Sequence, residues 1–177
     1  MLRPNLLQLR DERMQGHYNV LFLCTGNSAR SIMAEAIMNH KAGGKLTAYS
    51  AGSHSSGAVR PEALKQLETV HISVADLRSK SWEEFSKPDA PKIDFVFTVC
   101  DNAAKEVCPI WPGHPMTAHW GVPDPAAVQG TKEQIEKAYR DAFLLLDRRI
   151  SVFLNLPLTS LDSLAIKNEL DKIGQQS

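Results

Sequence analysis

A cysteine and an arginine six positions apart carry the first chemistry this chain could do. Cys24 closes the strand-forming run Val20-Leu21-Phe22-Leu23, and Thr25-Gly26-Asn27-Ser28-Ala29 connects it to Arg30-Ser31. Beyond Ser28, Ile32, Met33, Ala36 and Ile37 recur at helical spacing until Gly43-Gly44. The order is strand, anion-cradling loop, helix. Successive loop amides and the positive end of the helix dipole converge on one spot, which suits a tetrahedral oxyanion. The same field, with the Arg30 guanidinium, favours thiolate over thiol at Cys24 and makes it a nucleophile at neutral pH. The planar fork of Arg30 can grip two oxygens of the anion. Candidate anion-binding residues are therefore Thr25, Gly26, Asn27, Ser28, Ala29, Arg30 and Ser31.

Cys24-x5-Arg30-Ser31 behind a hydrophobic strand resembles the phosphate-binding loop of the low-molecular-weight protein tyrosine phosphatase family. The string from Cys24 through Met33-Ala34-Glu35 is more similar to the arsenate reductase branch of that family, as is Ser50-Ala51-Gly52. The resemblance implies an α/β fold, a three-layer sandwich with a four-stranded parallel sheet. It implies thiol-dependent reduction of arsenate to arsenite, with Cys24 attacking arsenate and with phosphate or sulfate bound in the same loop as analogues. Trp120-Gly121-Val122-Pro123-Asp124-Pro125-Ala126 resembles the family loop whose acid protonates the departing oxygen, which makes Asp124 the candidate acid.

Reduction needs a second sulfur. Arsenic(V) held on Cys24 accepts two electrons only if another thiolate attacks that cysteine and expels arsenite. Cys100, at the carboxyl end of the run Ile93 to Val99, and Cys108 resemble the redox cysteines of the reductase branch. Cys108 follows Cys100 by eight residues, one more than in the familiar relays, and Ala103-Ala104-Lys105-Glu106 between them favours helix. A fully helical segment would hold the two Cα atoms roughly 12 Å apart, beyond the ~7 Å limit of a disulfide, so pairing requires unwinding. Either Cys108 closes the relay and thioredoxin reduces the pair, or glutathione and glutaredoxin resolve the Cys24 and Cys100 stage. Ala29 stands where relatives carry a further cysteine, which removes a backup thiol and no catalytic element. The resemblance also makes Glu35 and Ser50 candidate ligands of a potassium ion. No tightly bound cofactor is expected. Cys100, Cys108, His114 and His119 lack zinc spacing, and His40, His54 and His71 are scattered.

These groups must be positioned by one core, which 177 residues suffice to build. The chain is formally neutral, which gives no reason to expect nucleic acid or an anionic membrane as partner. Gln8 and Arg10 interrupt the apolar start before a signal-peptide core could form, and a cytoplasmic protein is expected. Three cysteines in a reducing compartment suit working thiols rather than structural disulfides.

Strands are expected at 18–23, 45–51, 93–99 and 116–120, with helices after Ser28, from Arg60-Pro61, and around Trp82 to Phe85. Asn5 could cap a helix through Met14, and Asp76 to Ser79 could cap another short piece. Thr131 and Gln134 form a capping box before a long helix whose face is Ile135, Ala138, Tyr139, Ala142, Phe143, Leu146, Ile150 and Phe153. Thr159 and Asp162 suggest a second box. The expected organisation is an N-terminal extension (1–17), a phosphatase-like arsenate reductase domain (18–155) and a C-terminal helical extension (156–177). Two other readings compete: a phosphatase acting on phosphotyrosine or small phosphomonoesters, and a non-enzymatic oxyanion sensor. Against the first, Pro125-Ala126-Ala127 lacks the aromatic residues that would sandwich a phenyl ring.

Overall fold

The computed structural model describes residues 17–106, 109 and 111–177. The expected helix from Asn5 to Met14 and the expected relay cysteine Cys108 lie outside the described residues. Four strands form one parallel sheet: β1 (Tyr18–Cys24), β2 (Leu46–Gly52), β3 (Phe95–Thr98) and β4 (Met116–His119), in the order β2-β1-β3-β4. Among the described residues five α-helices accompany them: α1 (Arg30–Lys41), α2 (Pro61–Thr69), α3 (Asp101–Lys105), α4 (Lys132–Leu154) and α5 (Ser163–Gln175). Among the described residues no helix is long and apolar enough to cross a membrane.

The sheet is the middle of three layers because its central strands are apolar on both faces. Val20 and Phe22 of β1 and Phe95 and Phe97 of β3 point to the face covered by α1, α2, α4 and α5. Leu21, Leu23 and Val96 point to the other, which Phe85, Ile93 and Trp111 cover. In the helical layer Phe97 stacks on Trp120 with ring centroids 3.9 Å apart, and Phe153 of α4 meets Phe97 edge-on at 5.4 Å. The indole N–H of Trp120 donates to the Leu170 carbonyl at 3.0 Å, which ties α5 to the end of β4.

Several boundaries differ from expectation for identifiable reasons. β3 starts at Phe95 because the Asp94 carboxylate accepts the Asn19 amide at 2.8 Å. Trp82–Phe85 is a single 3-10 turn capped by Ser81. Asp76 to Ser79 opens no helix; Ser79 to Ser81 runs extended against β2, with Gly52 N–H donating to the Lys80 carbonyl at 2.9 Å. The expected box at Thr159 is replaced by Asp162 acting as the cap itself, its Oδ1 accepting the Ala165 amide at 2.8 Å. The Thr131–Gln134 box is formed in both directions.

In the β2-β1-β3-β4 order the chain reverses its progression between β1 and β3, and the crevice at their carboxyl ends is where open α/β sheets bind ligands. Cys24 ends β1, and Cys100 lies two residues beyond β3.

Candidate active site

Residues 25–29 turn the chain from β1 into α1 around a concave loop. Asn27 takes the left-handed conformation (φ 47°), and Gly52 lets β2 pass close beneath: a Cβ there would lie 2.5 Å from the Thr25 carbonyl oxygen. The loop carbonyls face outward. Those of Thr25, Gly26 and Ser28 accept from His54, Ser56 and Arg60 at 2.9, 2.9 and 2.8 Å. Among the described residues the amides of Gly26 to Ala29 have no hydrogen-bond acceptor in the chain. Ala29 is the N-cap of α1 and supplies no side-chain cap. Uncapped helical amides beside inward-facing loop amides form a receptor for an oxyanion.

Asn27, one of the expected anion-binding residues, is fully buried, and its side chain serves the loop itself. Its Oδ1 accepts the Lys80 amide at 2.9 Å and its Nδ2 donates to Ser31 Oγ at 2.8 Å. It locks the loop, and only its backbone remains for a ligand. Ser79 adds a bond to the Gly26 carbonyl at 3.3 Å. Beneath, the Ser50 hydroxyl donates to Glu35 Oε2 at 2.7 Å and Lys80 Nζ stands 3.9 Å from the same oxygen. The carboxylate assigned by resemblance to potassium thus faces a cation supplied by the chain. Burial pushes the Glu35 carboxyl up and the Lys80 ammonium down, each partly offset by the other.

Cys24 and Cys100 are both free thiols, buried in the fold, and lie near enough for each to shift the other's ionisation. Thr25, next to Cys24 in the chain, also reaches Cys100: its hydroxyl lies 3.6 Å from Cys100 Sγ. Cys100 is also the N-cap of α3, its sulfur accepting the Ala103 amide at 3.4 Å. The neighbouring Cys24 draws the Cys100 thiol down to about 5, while Cys100 and burial push Cys24 up. Arg30 and the Thr25 amide oppose that rise. The first ionisation therefore belongs to the pair and falls below the ordinary thiol range.

Across the cleft, Arg30 Nη1 donates to the Val122 carbonyl at 2.9 Å and Nη2 lies 3.6 Å from Asp124 Oδ2. Asp124 Oδ1 accepts the Ala126 amide at 3.0 Å, capping the 3-10 turn Pro125–Ala127 and leaving Oδ2 toward the cleft. A cavity of about 200 Å³ is lined by Cys24, Gly26, Ser28, Arg30 and Asp124. Cys24, Arg30, Asp124 and Cys100 are thus brought together.

Arg60 and Asn102 also line this cavity, and the residue-by-residue reading missed both as site residues. The only signal for Arg60 was its place before Pro61 at a helix start. A second cavity of about 610 Å³ adjoins Cys100, Arg30 and Asp124 and is walled by His119. His119 Nδ1 pairs with Thr98 Oγ1 at 2.8 Å and Nε2 with Asp101 Oδ1 at 2.9 Å.

Residues 19–164 match the model of the family described as low molecular weight phosphotyrosine protein phosphatase. The arsenate reductase of Oceanobacillus iheyensis is 38% identical over 134 residues, covering 76% of this chain and 93% of that one. The crystal structure of an arsenate reductase from Archaeoglobus fulgidus superposes with a TM-score of 0.61 at 26% identity, over 77% of this chain and 99% of that one. A low-molecular-weight protein tyrosine phosphatase from T. tengcongensis gives 0.62 at 26% identity, over 76% and 95%. With its oxyanion loop, opposed acid and paired sulfurs, this chain belongs to the low-molecular-weight phosphotyrosine protein phosphatase family, in the arsenate reductase branch.

Proposed function

We propose that the protein reduces arsenate to arsenite with thiols as the electron source, and that Cys24, Arg30, Asp124 and Cys100 carry the reaction. The observation that supports this most strongly is the pair of buried free thiols at one edge of the sheet, Cys24 at the end of β1 and Cys100 at the cap of α3 just beyond the neighbouring strand β3. A phosphatase has no use for the second sulfur; a reductase cannot do without it. Ala126 and Ala127, in place of aromatic residues, offer no phenyl sandwich.

Arsenate binds with its oxygens on the loop amides and the Arg30 fork, and Cys24, passing its proton to the Cys100 thiolate, attacks arsenic. An As–O bond breaks as the S–As bond forms, and Asp124 gives its proton to the departing oxygen, which leaves as water. Cys100 releases that proton to solvent and, as thiolate, then attacks the Cys24 sulfur. The S–S bond forms as the S–As bond breaks, its electron pair stays on arsenic, and arsenic(V) leaves as arsenite. Two thiols are oxidised and one arsenic is reduced by two electrons. The disulfide is returned to dithiol through Cys108 and thioredoxin, or by glutathione and glutaredoxin. These thiol donors are soluble intracellular reductants, so the cytoplasm is the proposed compartment.

Arsenate turnover measured in parallel with thioredoxin and glutaredoxin systems tests this, using wild type, Cys24→Ser, Cys100→Ser and Cys108→Ser. The first two substitutions should abolish turnover. Full turnover by Cys100→Ser would overturn the assignment, and Cys108→Ser separates the two routes of reduction.

A further inference from the structure

Arg149 lies in the middle of the apolar stripe of α4, between Leu146, Ile150 and Phe153, and is 4% exposed. A guanidinium there is costly to bury unless its donors are all used. Its Nη1 donates to the Gly121 carbonyl at 2.9 Å, and Nε and Nη2 donate to the Gln176 carbonyl at 3.2 and 2.8 Å. Gln176 is the C-cap of α5, the negative pole of that helix, where a cation is favoured. Gly121 stands three residues before Asp124. One buried cation therefore joins the acid loop to the end of the last helix.

Other contacts hold the same two pieces together. The Trp120 indole donates to Leu170, and Lys167 Nζ donates to the Thr117 carbonyl at 2.7 Å. Gly174 brings the backbone of α5 against the His119 carbonyl, where a Cβ would collide with that oxygen and with Trp120. The neighbouring carbonyl, Val122, is gripped by Arg30. Of the two arginines that hold this loop, only Arg149 lies outside the anion cavity. Residues 165–177, which include the acceptor Gln176, fall beyond the stretch matched by the family model.

We propose that Arg149 is a positioning residue that clamps Gly121 to the C-terminus of α5 and so fixes where Asp124 meets the departing oxygen. This rests on the reading of Asp124 as the acid. The clamp acts through geometry: a misplacement of about 1 Å in a reacting group can cost up to ~100-fold in rate.

The test is the single-turnover rate of Cys24–Cys100 disulfide formation on adding arsenate to the reduced full-length protein, with no external reductant. Arg149→Met should slow the rate at saturating arsenate about tenfold or more, with half-saturation changed less than about twofold. Arg149→Lys, which keeps the charge but not the fork, should fall between. Alkylation of Cys24 by iodoacetamide should keep its wild-type rate, reporting an intact loop. In the Asp124→Asn background Arg149→Met should have no further effect, since residues acting through one group are non-additive. Gly174→Ala leaves Arg149 in place but pushes α5 off His119; it should reproduce the loss and carries the test if Arg149→Met fails to fold. A wild-type rate for Arg149→Met, or the same fold loss with and without Asp124, would overturn the clamp. A wild-type rate for Asp124→Asn would remove the acid assignment and the reason for the clamp with it.

Discussion

The guanidinium of Arg30 faces the carboxylate of Asp124 across 3.6 Å while its other arm is fixed on the Val122 carbonyl at 2.9 Å. One arginine thus sets the distance between the anion cradle and the acid loop. Asp124→Asn should lower the rate with arsenate about 10²-fold or more with little change in half-saturation, because it removes a proton donor and not a binding group. Arg30→Lys should lose a comparable factor and also weaken binding, since an ammonium cannot grip two oxygens or hold Val122 in the same geometry. Steady-state kinetics separate the two patterns.

The sulfur pair makes a prediction about pH. Cys100 is drawn down to about 5 chiefly by the neighbouring Cys24, so Cys24→Ala should move the Cys100 midpoint upward and slow its alkylation at pH 6. Cys24 is pushed up chiefly by Cys100, so Cys100→Ala should move Cys24 the opposite way. Alkylation rates against pH, with the modified site identified by mass spectrometry, read both shifts. Midpoints that do not move would mean the sulfurs are not in contact in solution.

Lys80 is expected to matter for stability beneath the loop. Burial raises the Glu35 carboxyl in the folded state, so the fold favours its protonated form. The stability that this group contributes is present below the unfolded value and lost as pH rises through the folded one. Lys80 limits that loss. Lys80→Met should therefore cost of order 3 kcal/mol at pH 8 and less near pH 4.5, with Glu35→Gln restoring most of it. Thermal melts at the two pH values show the difference.

Gly52 should tolerate no side chain. A Cβ there would stand 2.5 Å from the Thr25 carbonyl oxygen and 3.0 Å from the Asn27 amide, both backbone atoms of the cradle. Gly52→Ala should leave the sheet folded and weaken binding of inorganic phosphate at least tenfold, a loss that titration calorimetry would detect.

Much of this was legible locally. The apolar run into Cys24, the Cys-x5-Arg spacing, the Asp-Pro loop and the Thr131 box each lie within a few neighbouring residues, where periodicity and capping rules apply. The errors were also local and traceable to side chains. Asp94 replaced a strand bond, Asp162 capped in place of Thr159, and Ser79 to Ser81 became a strut rather than a helix start. What the neighbouring residues do not reveal is the second task of Asn27, whose buried side chain holds Lys80 and Ser31.

By itself, the sequence determined that a strand would deliver a cysteine to a loop of open amides with an arginine at its far end, because those properties are set by residues in direct succession. Tertiary structure alone decided that β3 lies beside β1 and brings Cys100 against Cys24. It also decided that Lys80 faces Glu35, and that a buried arginine from α4 ties the acid loop to the last helix. Each of those contacts joins segments more than twenty-five residues apart, and such pairings follow from which apolar faces pack together rather than from any local pattern.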